Sequence, residues 1–188
     1  MKTYPTLHRL LHWSIAVCLF VLFLTGMLRM TWMSKKFTGA VISKIALENN
    51  YALDPQTVKL MSAALLEPMF EWHIYASYLM GVLWIARLVY MYKSGVRFPN
   101  PLKKQTTSLE KVQGLSYILF YLLVFIQLST GAALSLSVFP DSVLEGMEKL
   151  HKAALYTVPL FVVVHLVGIA LSEHGKEKGI TSKMIGGA

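Results

Sequence analysis

The sequence predicts an all-α integral membrane protein, a four-helix bundle with short interfacial helices in its first external loop. Three observations carry this. First, hydrophobic residues make up 55% of the 188 positions and charged residues only 15%, against roughly a quarter charged in an average soluble domain. Second, four stretches are long and nearly free of charge: Leu10–Leu28, Trp72–Ala86 (running on past Arg87 to Tyr92), Val112–Pro140 and Ala153–Ser172. A helix crossing the hydrocarbon core needs about 20 mostly apolar residues. Third, the basic residues are distributed unevenly over the segments that join these stretches, as they are around membrane spans. The expected transmembrane helices lie at about 8–31, 68–93, 108–138 and 147–172, within a single membrane-embedded domain covering 1–188.

The first span opens at Leu10 and carries the single cysteine, Cys18. One cysteine makes no intramolecular disulfide, and no C-x-x-C-H is present for covalent haem attachment. The apolar run is longer than a signal-peptide core and lacks a small-residue cleavage site, so no cleavable signal is expected. The external insert, 32–70, holds two short amphipathic stripes. Val41, Ile42, Ile45 and Ala46 form one; Val58, Met61, Ala64 and Leu65 form the other, behind Asp54-Pro55 as N-cap and first helical residue. Two short helices on the outer membrane face fit this pattern, either as plain interfacial packing or as a docking surface. Between spans two and three, Pro99-Asn100-Pro101 marks a turn. In the fourth span, Pro159 is a candidate kink.

With four spans both termini share one side. That side, with the middle loop, carries eleven bases and three acids, whereas the opposite side carries seven of each. The positive-inside rule then places both termini and the middle loop in the cytoplasm. The net charge of +8 is accounted for by this asymmetry, and no nucleic-acid partner is expected. The partner given by the sequence is the lipid bilayer. A lipid-facing Gly or Ala seam leaves a homodimer open.

Histidines carry the chemistry. Ionisable residues within spans are costly and usually face the bundle interior with a partner. His151 and His165 lie 14 residues apart on span four, about 40° short of four full turns, so they share a face roughly 21 Å apart along the axis. His73 opens span two at the depth of His151, and His12 opens span one at the depth of His165. Two imidazole pairs in two layers suit iron in bis-histidine haem. Zinc would want three or four ligands at one point, and a proton relay would more often include a carboxylate. Structural hydrogen-bonded histidines are the remaining alternative. Gly26 and Gly131 fall at the outer level, where a missing side chain would let a macrocycle approach the backbone; helix packing is the alternative. Arg87, 14 residues after His73, reaches the inner level and is a candidate propionate partner, or a snorkelling residue. Arg9 and Arg29 are weaker candidates of the same kind. His8, one turn before His12, suits a propionate or quinone contact. His174 falls outside the pattern.

Leu11-His12-Trp13 opens a span that ends Leu24-Thr25-Gly26, Trp72-His73 opens one that closes Ile85-Ala86-Arg87, and His151 precedes His165 on the last span. In this order the motifs resemble the bacterial cytochrome b-561 / nickel-iron hydrogenase b-type cytochrome family across all four spans. The resemblance implies a four-helix membrane cytochrome with two haem b groups. It implies His12 with His165 on the inner haem and His73 with His151 on the outer one. It also implies electron transfer between quinone and a redox partner. The insert departs from the compact stand-alone members and leaves the partner open. A lone quinone-linked oxidoreductase, taking electrons from a small external reductant such as superoxide, stands against a membrane anchor for a hydrogenase-type or other periplasmic subunit. A histidine-based metal or proton transporter, or a purely structural anchor, is the reading from a different class.

Overall fold

A computed structural model describes residues 4–94, 107–175 and 178–187. All regular structure among them is helical: α1 (Thr6–Met30), α2 (Lys35–Glu48), α3 (Pro55–Ser94), α4 (Ser108–Leu136), α5 (Asp141–Lys152), α6 (Ala154–His174) and α7 (Ile180–Ile185). Four stretches are long and apolar enough to cross a membrane: α1, α3, Glu110–Leu136 of α4, and Asp141–His174, which joins α5 to α6. The all-helical membrane bundle expected from the sequence is therefore the architecture found. Many large apolar side chains point outward, among them Leu10, Val17, Phe20, Tyr78, Val82 and Leu160. In water such a surface would drive aggregation; along a span it faces lipid tails.

The helix ends follow local chemistry. The Ser34 side chain accepts from the Phe37 amide and starts α2. Asn50, at φ 61°, ends it: the Tyr51 amide bonds the Ala46 carbonyl and the Asn50 amide that of Leu47, the paired bonds of a Schellman closure. At α4, Thr107 and Glu110 form a reciprocal capping box, and Ser137, at φ 50°, closes the helix. Asp54 heads α3, its carboxylate accepting from the Gln56 and Thr57 amides at 2.9 and 3.0 Å. The Thr57 hydroxyl, first, and these amides hold its carboxyl below the usual range.

Two elements differ from expectation. The cap at Asp54-Pro55 opens no separate interfacial helix: α3 runs unbroken for 40 residues. At 1.5 Å per residue it is about 60 Å long, twice the hydrocarbon thickness. No glycine or asparagine interrupts the stretch up to Trp72. Pro68 removes one backbone donor without ending the helix. The fourth span, by contrast, is interrupted at Ala153, while Pro159 sits inside α6. Here Gln127 Nε2 approaches the Leu150 carbonyl at 3.5 Å. The tail helix α7 is an addition to the sequence reading.

The chain divides into two compact units. In Cys18–Leu79, α2 packs on the first part of α3. Gly39 is buried there, and a Cβ on it would lie 3.2 Å from Ser62 Oγ and 3.3 Å from Val58 Cγ1. Further along, the Cys18 thiol donates to the Ala76 carbonyl at 3.1 Å. In the other unit α4 packs along both α5 and α6, and α7 against α6. Glu173 receives the Gly179 and Thr181 amides at 2.7 and 3.2 Å, capping α7. The tail then meets the first turns of α1, where Trp13 Nε1 donates to the Met184 carbonyl at 3.2 Å.

Candidate functional site

His12 on α1 and His165 on α6 face each other with ring centroids 6.1 Å apart and planes at 44°. Trp13 meets the His12 ring edge-on at 5.5 Å, and Phe161 stacks on His165 at 5.8 Å and 14°. The spacing can be tested against the haem expected from the sequence. Imidazole nitrogens bind metals at about 2.0–2.1 Å, so two rings sharing one metal have centroids about 6 Å apart. The two rings fit that requirement. Among the described residues no three His, Cys, Asp or Glu converge on one point, as a tetrahedral zinc site would require.

Arg87 lies in the same unit and is buried, at 7% exposure. Its Nη1 donates to the His8 carbonyl and its Nη2 to His8 Nε2, each at 3.1 Å. Tyr4 stacks on the other side of His8 at 5.0 Å, and the Tyr90 ring lies 5.8 Å from the guanidinium carbon. Among the described residues the ion pairs are Lys44–Glu48, Lys149–Glu145 and Lys152–Glu148. Arg87 is thus a buried cation held by neutral groups, an arrangement that strongly favours a nearby anion. One turn earlier on α3, the buried Trp84 Nε1 has no acceptor. One unsatisfied donor thus lies a turn from a buried cation on the same helix. His8 Nε2, facing a guanidinium, is already committed as an acceptor.

His73 and His151, one in each unit, each have a threonine hydroxyl oxygen at Nδ1. The Thr25 hydroxyl reaches the Val21 carbonyl at 2.8 Å, and its oxygen lies 2.7 Å from His73 Nδ1. The Thr130 hydroxyl reaches the Ile126 carbonyl at 2.7 Å and lies 3.1 Å from His151 Nδ1. The next residue in each case is the glycine singled out from the sequence. A Cβ on Gly131 would lie 3.1 Å from His151 Cε1, and one on Gly26 3.9 Å from His73 Cε1. At Gly131 the missing side chain makes room for the imidazole itself. The sequence reading gave neither threonine a role, although Thr25 stands in its Leu24-Thr25-Gly26 motif. The signal was a repeated Thr-Gly step, near the ends of the first and third spans.

The other sequence candidates lie elsewhere. Arg9 Nη1 donates to the Ile185 carbonyl at 3.0 Å, and the guanidinium packs against Gly187, so it holds the tail. Arg29 lies over the Phe70 ring at 4.4 Å. His174 Nδ1 bonds the Ala170 carbonyl at 2.8 Å.

Searches of curated proteins and of solved structures found no match. A family comparison did: residues 3–187 match the model for prokaryotic cytochrome b561, and with its four membrane-spanning stretches the chain belongs to that family of membrane electron-transfer b-type cytochromes.

Proposed function

We propose that this cytochrome moves electrons across the bacterial inner membrane through two b haems, between the quinone pool and a redox partner or small external reductant. The observation that carries the reading is the His12–His165 pair, 6.1 Å apart at ring centroids. His12 and His165 are the proposed axial ligands of an inner haem. His73 and His151 are those of an outer haem, on the depth of the two residues in their spans. Each group, when bound, supplies a one-electron centre, and two layers of ligands shorten the path through the bilayer.

The chain's own residues do the rest. The imidazoles hold position from helices whose outer faces are apolar, so water is kept from the ligand layer. Arg87 Nη1 and Nη2 hold the α1 terminus through His8, and the guanidinium charge offers an inner propionate its counter-charge. Trp84 Nε1, one turn away, supplies a further donor. Gly131 leaves the space that the His151 imidazole occupies. Both termini are assigned to the cytoplasm by the excess of bases on that side.

One observation favours a second version, in which the chain anchors a periplasmic redox subunit. The external part of α3, with α2 packed on it through Gly39, is a helical hairpin beyond the needs of a span. Co-purification separates the two, since an anchor brings a stoichiometric second chain.

The test is a pyridine haemochrome assay on purified protein with reduced-minus-oxidised spectra. About two b haems per chain are expected. Each of His12→Gln, His73→Gln, His151→Gln and His165→Gln should remove one haem's normal spectrum. A haem-free protein from haem-supplied cells would overturn the reading.

A further inference from the structure

The Thr-Gly steps on α1 and α4 do more than pack. A threonine inside a helix can give its hydroxyl proton to the carbonyl four residues earlier. Thr25 does so towards Val21 and Thr130 towards Ile126, at 2.8 and 2.7 Å. A hydroxyl has one proton and two lone pairs. With the proton spent on the helix, the oxygen facing His73 Nδ1 at 2.7 Å and His151 Nδ1 at 3.1 Å can only accept. Each Nδ1 then carries the ring hydrogen, and each Nε2 carries the lone pair. That is the tautomer an Nε2 metal ligand needs, and the hydrogen on the other nitrogen sets the ring's orientation and basicity. At His151, Gly131 completes the arrangement by letting the ring lie against the backbone beside its threonine, where a Cβ would come within 3.1 Å of Cε1. For the His12 and His165 rings no hydrogen-bond partner occurs among the described residues; the two face each other, with Trp13 edge-on to His12 and Phe161 stacked on His165.

We infer that Thr25 and Thr130 are positioning residues that accept the Nδ1 hydrogens of His73 and His151, fix their tautomer and lower the reduction potential of the haem those histidines hold. The inference rests on the di-haem reading above. A hydrogen-bonded Nδ1–H makes the imidazole a stronger donor, which favours ferric iron. The low dielectric of a span strengthens the bond. The histidines of the other layer, with no hydroxyl at their ring nitrogens among the described residues, serve as an internal control.

The test uses purified full-length protein carrying Thr25→Val, Thr25→Ser, Thr130→Val or Thr130→Ser, read by haem content and by potentiometric titration of both haems. Each valine variant should keep two haems. It should shift one of them about tenfold towards the reduced form at fixed ambient potential, equivalent to 59 mV for one electron, and leave the other unchanged. Each serine variant should restore the parent value. Loss of one haem in a valine variant, regained in the serine variant, also supports the assignment. Unchanged potentials with both haems present overturn it and leave the di-haem reading standing. So does a shift or haem loss that serine fails to rescue, or a shift of both haems alike. An unsubstituted protein that binds no haem overturns both readings together.

Discussion

Gly131 offers a sharp physical test, because Gly26 is its internal control. Both glycines sit inside a helix, beside a histidine ring, and both should gain about 0.5–1 kcal/mol on replacement by alanine from backbone entropy alone. They differ in space. The new Cβ at Gly26 would sit 3.9 Å from His73 Cε1, an ordinary contact. At Gly131 it would sit 3.1 Å from His151 Cε1, with Nδ1 at 3.7 Å and Nε2 at 3.9 Å, so the whole ring must give way by a few tenths of an ångström. That ring is also held through Nδ1 by Thr130. Overpacking of this kind costs about 1–3 kcal/mol. Gly26→Ala should therefore be neutral to stabilising. Gly131→Ala should be destabilising by up to about 2 kcal/mol, with the melting temperatures of the two variants about 2–4 °C apart per kcal/mol of difference. The assay is thermal unfolding in detergent, followed by helical circular dichroism and by the absorbance of bound haem. If the two variants stabilise equally, the imidazole does not occupy the space beside Gly131, and the account of that glycine fails.

Other outcomes follow from single groups. Replacing Arg87 by Gln removes a buried cation from the inner layer, so the inner haem should become easier to oxidise by on the order of 60 mV, a tenfold change, in a redox titration. The Asp54 cap is pH-dependent in a definite direction: its folded carboxyl titrates below the ordinary 3.8. The protection it provides is full above that value and is lost as pH falls through the lowered one. Amide exchange at Gln56 and Thr57 should accelerate in that acid window, and Asp54→Ala should show the same acceleration at neutral pH. Removing the α7 cap with Glu173→Ala should expose 178–187 to limited proteolysis in detergent while leaving the haem spectrum intact. Protease resistance equal to that of the parent would show that the Arg9 and Trp13 contacts hold the tail unaided.

Much of this protein was written in one dimension. Hydropathy decided that the chain spans a membrane four times, because a lipid core accepts only helices that satisfy their own backbone. Helical phase alone placed His12 and His165 at one depth, since the rise per residue is constant and the spans run in opposite directions. The N-cap of α3 at Asp54 was equally local, being set by a carboxylate within two or three residues of the amides it accepts from. What the sequence could not decide were properties that depend on neighbours distant in the chain. Arg87 and Arg9 are alike as residues, yet one is buried against His8 and the other is spent on the Ile185 carbonyl. Continuity was also undecided: Pro68 leaves α3 unbroken, whereas the fourth span is interrupted at Ala153 rather than at Pro159. The two threonines belong to this class. Thr25 and Thr130 take on a role only where the packing of their helices brings an imidazole nitrogen within hydrogen-bonding distance. Burial, counter-charge and hydrogen-bond direction are properties of pairs, and only the tertiary structure states which pairs form.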